Sequence, residues 1–328
     1  MSTLAAFSAS TPAIRWNWSA LAVWVLARQA SRDTKVVLSG DGGDELFAGY
    51  LTYQATLWHE AVTARMPMRT RRMLARAGSG LPTSEQKVSG TYKLRRFLRA
   101  ASLPPAVAHF TWNGAWLPDQ ACGLLAGAER RRAASGALTR LTAAHALPEC
   151  PTVRQLQAAD VTDYLPNDIL TKSDRTSMAH GLEVRSPFLD PALADFALRL
   201  PAALKVTRHG ATKRILRELA KRSYGVEVTG AQKQGFSIPV HAWLRGPGRP
   251  LVDDLLSRQS IASIPALDPA GVSAAVAEHM SGRRSYGFEL WGLAVLVAWH
   301  RRYVQERVAV PGGPPPRLVE IKARAVHD

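Results

Sequence analysis

Apolar positions along this chain change their spacing abruptly near residue 40. Lys35-Val36-Val37-Leu38 is a short apolar run whose β-branched pair fits a buried strand. It breaks into Ser39-Gly40-Asp41-Gly42-Gly43, which no strand or helix interior accommodates without loss. From Asp44 the pattern turns helical, with Leu46 and Phe47 as its first apolar positions. Strand, glycine turn and helix start, in that order, describe a loop of the kind that meets a nucleotide. A plainer alternative is a tight turn with Asp44 as the helix N-cap.

The 3.6-residue period predicts helices over 20–29, over 52–77 with an interruption at Pro67, and over 91–101. Phe110, Trp112 and Trp116 read as core aromatics, whereas 121–147 carries no assignable chemistry. Thr152-Val153-Arg154-Gln155 has capping-box spacing, and the helix it opens should stop before Pro166. Asn167-Asp168 should cap the next helix, over 169–180, with Gly181 at its C-terminal end. Glu183 to Asp190 should be extended, because Ser186 precedes a proline. Asp190-Pro191 then couples an N-cap to Pro at the first helical position. Leu193, Phe196, Ala197 and Leu200 follow as one core-facing stripe. Short helices are expected over 212–221, 240–244 and 251–258, and a last, buried one over 289–307. Residues 1–19 read as an irregular lead-in and 309–328 as a Pro-rich tail, leaving 20–308 as the folded domain.

Composition narrows the class. The chain has 328 residues, 46% of them hydrophobic, enough for a substantial core. No run approaches the roughly 18 apolar residues of a membrane span. Cys122 and Cys150 have neither metal spacing nor a disulfide framework, so a reduced, cytoplasmic location is expected. The net charge of +16 comes from scattered clusters inside helical patterns with little aromatic interleaving, which argues against nucleic acid as the partner.

Three stretches carry candidate chemistry. The glycine loop presents Asp41, Asp44 and Glu45 where a Walker loop would present a lysine. Carboxylates there suit Mg²⁺ bridging to phosphates, or proton transfer. Lys172 and Arg175 lie three apart on a predicted helix and share a face able to meet phosphate or carboxylate, although a structural salt-bridge network would look the same. Lys233 sits in the polar loop Gln232-Lys233-Gln234-Gly235-Phe236. Carboxylates, Mg²⁺ and several cations around one pocket are what splitting a nucleoside triphosphate requires.

These stretches, Ser39 to Tyr50, Lys172 to Asp190 and Gln232 to Phe236, closely resemble the synthetase domain of glutamine-hydrolysing asparagine synthetases. The resemblance runs from about Ala20 to Tyr303. It implies an α/β fold with a helical majority: a partial adenine-nucleotide α-hydrolase-like (ATP pyrophosphatase) fold lacking its first strands, with helical additions. It also implies ATP and Mg²⁺ as cofactors, adenylation of aspartate with release of pyrophosphate, and displacement of AMP by ammonia to give asparagine. Carried over by position, Ser39 and Gly40 contact ATP, Asp41 lies near the reacting carboxylate and amine, and Asp44 is the Mg²⁺-linked carboxylate. Lys172 and Arg175 supply cations, and Lys233 meets pyrophosphate. The family's catalytic N-terminal cysteine and its Ser-Gly-Gly-x-Asp-Ser loop do not occur in these 328 residues. The expectation is therefore a chain truncated at its N-terminus, inactive alone, with ammonia coming from a glutaminase domain or subunit outside it. A β-lactam-synthetase-like or lasso-cyclase-like amide ligase shares the same motifs. A non-catalytic scaffold with a basic surface is the competitor from another class.

Overall fold

The computed structural model describes residues 19–81, 90–113, 116, 118–130, 132, 152–225 and 239–306. The expected lead-in, the Lys233 loop and the Pro-rich tail lie outside the described residues, apart from Ser19. Helices carry most of the described chain, around one sheet of two strands. β1 (Val36–Leu38) pairs in parallel with β2 (Glu183–Arg185), Val36 opposite Glu183 and Leu38 opposite Arg185. The coarse α/β expectation holds in this form. No helix among the described residues is long and apolar enough to cross a membrane.

β1 falls where the apolar run predicts it, but it is not buried. Val36 is 39% exposed and Leu38 74% exposed. Parallel strands normally have both faces covered; here Val37 and Val184 are only part-buried.

The largest departure from the helical pattern is at Pro166. The Thr152–Ala159 helix does not stop there but continues as a π-helix over Asp160–Leu170 and then as the Thr171–Met178 helix. The wider winding of a π-helix moves the preceding carbonyls away from the pyrrolidine ring that would clash with them in an α-helix. The Pro166 carbonyl accepts from the Thr171 hydroxyl at 2.7 Å. The helix starts at Thr152, as its capping-box spacing predicts, and the Thr152 hydroxyl donates to the Glu60 carboxylate.

Other signals act where the sequence puts them. Asp190 Oδ1 accepts from the backbone N–H of Ala192 and Leu193 at 3.0 and 3.1 Å and starts the Pro191–Arg199 helix. Gly181, at φ +63°, lies just past the end of the Thr171–Met178 helix. The stripe behind Asp190 is rotated from the expected one: Ala197 is fully buried, whereas Phe196 is 56% exposed. Trp112 stacks on Phe97 at 5.8 Å and Trp116 on Tyr286 at 5.6 Å, so these tryptophans pack in two separate places.

Two cores matter for the site. Leu46, Phe47 and Ala197 are buried together against Phe188, Leu189, Ile215 and Leu216. This cluster clamps the acidic loop between β2's exit and the Arg214–Tyr224 helix. Fully burying one such side chain is worth about 1.5–3 kcal/mol. A larger core forms around the Gly287–His300 helix, which buries Leu290, Trp291, Leu293, Ala294 and Val297 as its apolar faces predict.

Candidate active site

The acidic loop leaves β1 through Ser39, whose N–H donates to the Arg185 carbonyl at 2.8 Å and so extends the ladder by one bond. The helix start is Gly42, not Asp44. Gly42 takes the left-handed conformation at φ +86° and caps the Gly43–Leu46 helix without a side-chain bond. A Cβ there would also lie 2.2 Å from Leu189 Cδ2, so both backbone and space demand glycine.

Asp41 is the centre of a hydroxyl cluster. Its Oδ2 accepts from Ser39 Oγ at 3.0 Å and from Ser173 Oγ at 2.8 Å. Ser39 Oγ also lies 2.9 Å from Ser186 Oγ. With the Ser39 proton committed to Asp41, Ser186 is the donor in that pair. The loop, the Thr171–Met178 helix and the segment after β2 therefore meet at one carboxylate.

Asp44 has a different partner. Its Oδ1 pairs with Lys213 Nζ at 3.1 Å, each side chain being about a quarter exposed. Lys213 is a non-glycine residue in the left-handed region, at φ 52°. The pair lies against Gly49, where a Cβ would meet Asp44 Oδ1 at 2.0 Å and Lys213 Cε at 2.2 Å. Mg²⁺ takes one or two protein carboxylates and completes its shell with phosphates and water. Asp44, partly exposed in the loop, is a single carboxylate of the kind that donor set uses. An all-protein cage is not what the loop offers, and among the described residues no three His, Cys, Asp or Glu side chains gather to make one.

The two expected cations of the helix separate. Lys172 is 9% exposed and turns inward, donating to Ser19 Oγ at 3.2 Å. Burial pushes its pKa down, while the carboxylates of Asp168, Asp41 and Glu45 pull it back up. Arg175, one turn on, faces solvent. Gly40 is exposed, with open space at its α-carbon. Lys233 lies outside the described residues.

Behind the loop is a buried polar layer. Glu45, 1% exposed, accepts from Tyr50 Oη at 2.5 Å. Burial raises its pKa, partly offset by that hydrogen bond. Gln157 donates through Nε2 to the carbonyls of Glu45 and Leu46 at 2.7 and 2.8 Å. Those carbonyls end a short helix and have no helical partner of their own. Gln157 Oε1 in turn accepts from the buried Lys205 ammonium at 3.0 Å. Further in, Tyr53 Oη donates to Asp160 Oδ2 at 2.5 Å, and His109 Nε2 approaches the same oxygen at 3.1 Å.

Sequence reasoning did not single out Ser173, Ser186, Lys213, Gln157 or Lys205. Ser173 and Ser186 stand inside the motif stretches, so position alone flagged them. Gln157, Lys205 and Lys213 carry no local signal, because their roles come from contacts across the fold.

The family profile described as asparagine synthase matches residues 5–301. A Mycobacterium tuberculosis protein, provisionally named a glutamine-hydrolysing asparagine synthetase, is 30% identical over 317 residues, 92% of this chain and 46% of the relative. Glutamine-hydrolysing asparagine synthetase 1 of Bacillus subtilis is 24% identical over 303 residues, 90% of this chain and 46% of that protein. The human glutamine-hydrolysing asparagine synthetase is 39% identical over 72 residues, 21% of this chain and 13% of its own length. The chain thus spans about half the length of the bacterial relatives it matches nearly end to end. On the family profile and the 30% identity together, the chain belongs to the asparagine synthase family.

Proposed function

We propose that this chain is the synthetase part of an ATP-dependent carbon–nitrogen ligase that forms asparagine. The aspartate side-chain carboxylate attacks the α-phosphorus of ATP and pyrophosphate departs. Ammonia then attacks the acyl carbon of the β-aspartyl adenylate, and AMP leaves with its electron pair. Ammonia is supplied by a glutaminase domain or subunit outside these residues. In the same reading, β1 and β2 belong to an adenine-nucleotide α-hydrolase-like sheet.

The observation that carries the proposal is the Ser39–Asp41–Ser173 cluster beside Asp44, inside the span matched by the family. Ser39 and Gly40 line the nucleotide. Asp41, held on Oδ2 by two serine hydroxyls, takes the proton that the attacking amine must lose. Asp44 is the carboxylate for Mg²⁺, which when bound offsets phosphate charge. Lys172 adds a buried positive charge beside the loop, and Arg175 and Lys233 provide cations for the departing pyrophosphate.

ATP binding and pyrophosphate release, measured on the purified chain with Mg²⁺ and aspartate, test the reading. Nucleotide binding weakened at least tenfold by Asp44→Asn or Lys172→Met is expected, without turnover by the chain alone. Binding indifferent to both substitutions sinks the site assignment. Robust aspartate-dependent release that disappears in Asp44→Ala would instead refute the expected inactivity while establishing the chemistry.

A further inference from the structure

We propose that Lys213 is a resident counter-cation for Asp44, which a divalent ion must displace, so that Lys213 sets the affinity and timing of metal entry. The inference rests on the reading of Asp44 as the metal carboxylate.

Three features of the structure support it. Lys213 Nζ lies 3.1 Å from Asp44 Oδ1, close to where a cation bound by that carboxylate would sit. The pair is about three-quarters buried, so its charges are incompletely screened by water. Lys213 is also one of two non-glycine residues among the described ones with positive φ, and it precedes the Arg214–Tyr224 helix in that conformation. A lysine in the left-handed region is strained, because its Cβ crowds the backbone carbonyl. Such strain persists where the surrounding structure fixes a side chain in a particular place. Here the fixing contacts are visible: the lysine stem passes within reach of the α-carbons of Gly43 and Gly49, with positions for Cβ atoms 3.5 Å from Nζ and 2.2 Å from Cε. Glycine at position 49 leaves the space that the stem occupies.

An ammonium and a divalent ion cannot share one carboxylate oxygen closely, because they repel. A metal that takes Asp44 Oδ1 therefore requires Lys213 to move off that oxygen. Once displaced, the ammonium remains next to the loop as a second positive charge for the phosphates that accompany the metal.

Mn²⁺ alone is the probe, titrated into the full chain and followed by the loss of the free-ion electron paramagnetic resonance signal. Lys213→Met should bind Mn²⁺ on the order of tenfold more tightly than the unsubstituted chain, the scale expected for removing one like charge from a partly buried site. Lys213→Arg should not tighten it. Equal, weaker or undetectable binding in Lys213→Met overturns the proposal. If Asp44→Asn leaves Mn²⁺ binding unchanged, the reading of Asp44 falls and takes the proposal with it. If Asp44→Asn abolishes binding but Lys213→Met does not tighten it, only the role of Lys213 falls. Amine labelling of the unsubstituted chain gives a second readout that needs no folded variant. Acetylation of Lys213, read by peptide mass, should rise severalfold on adding Mn²⁺, and an unchanged yield contradicts displacement.

Discussion

Ser173 Oγ donates to Asp41 Oδ2 at 2.8 Å across 132 positions of sequence. This bond fastens the acidic loop to the Thr171–Met178 helix, and with Ser39 it holds one oxygen of Asp41 in a fixed direction. Ser173→Ala should lower stability by about 1.5–3 kcal/mol, the range for losing a hydrogen bond to a charged group. It should also quicken amide exchange at Gly40 to Gly43 more than elsewhere. Urea unfolding and exchange mass spectrometry check both. Unchanged loop exchange would show that Ser173 does not order the loop.

Gly49 is a sharper test of the loop's packing. Its backbone is not left-handed, so alanine is excluded by space alone: the added Cβ would lie 2.0 Å from Asp44 Oδ1 and 2.2 Å from Lys213 Cε. Both are side-chain atoms, so the ion pair can yield, but only by separating. Gly49→Ala should destabilise the chain by roughly 1–3 kcal/mol. Lys213→Met, which removes the charged tip, should recover part of that loss in the double variant. Additive effects in thermal melts would mean that the pair is not what the methyl group displaces.

The loop's place after a strand was legible because local chemistry decides it: β-branched Val36 and Val37 end at glycines that neither a strand nor a helix accepts. Asp190 was legible for the same reason, since an N-cap acts within three residues. Pro166 misled because a proline's effect depends on the winding around it, and the chain passes it as a π-helix over Asp160–Leu170. The shared face expected of Lys172 and Arg175 also fails on a tertiary detail. Ser19, far away in sequence, receives the Lys172 ammonium while Arg175 stays in solvent. Gln157 and Lys213 were invisible because each meets the loop from more than a hundred positions away, and Lys205 because it acts through Gln157, 48 positions from it.

Glu45 should make stability depend on acidity. Burial raises its pKa above the ordinary value of 4.5. Between 4.5 and the raised value the folded chain binds more protons than the unfolded chain, so stability falls as pH rises through that window. Glu45→Gln keeps an oxygen for the Tyr50 hydroxyl and removes the charge. The variant should melt higher than the unsubstituted chain at pH 7, and the difference should vanish below pH 4. A difference of opposite sign at pH 7 would show that a nearby cation, Lys172 first among them, holds Glu45 ionised.

Lys205 predicts the reverse slope at the alkaline end. Burial, with a smaller push from Arg154, lowers its pKa to about 8 from an ordinary 10.5. In that interval the unfolded chain binds the extra proton, so stability rises as pH climbs from about 8 towards 10.5. Lys205→Met abolishes this contribution and leaves Gln157 Oε1, in a residue 1% exposed, without its donor. Losing that donor costs about 1–3 kcal/mol at any pH. The gap between unsubstituted chain and variant should therefore widen with pH between 8 and 10 in melts at matched ionic strength. The consequence reaches the site, because Gln157 holds the carbonyls of Glu45 and Leu46 through its other end. An amide that loses its anchor on one side turns more freely on the other, so exchange at Asp44 to Phe47 should quicken in Lys205→Met. A pH-independent gap with unchanged exchange would reduce Lys205 to a packed hydrocarbon stem.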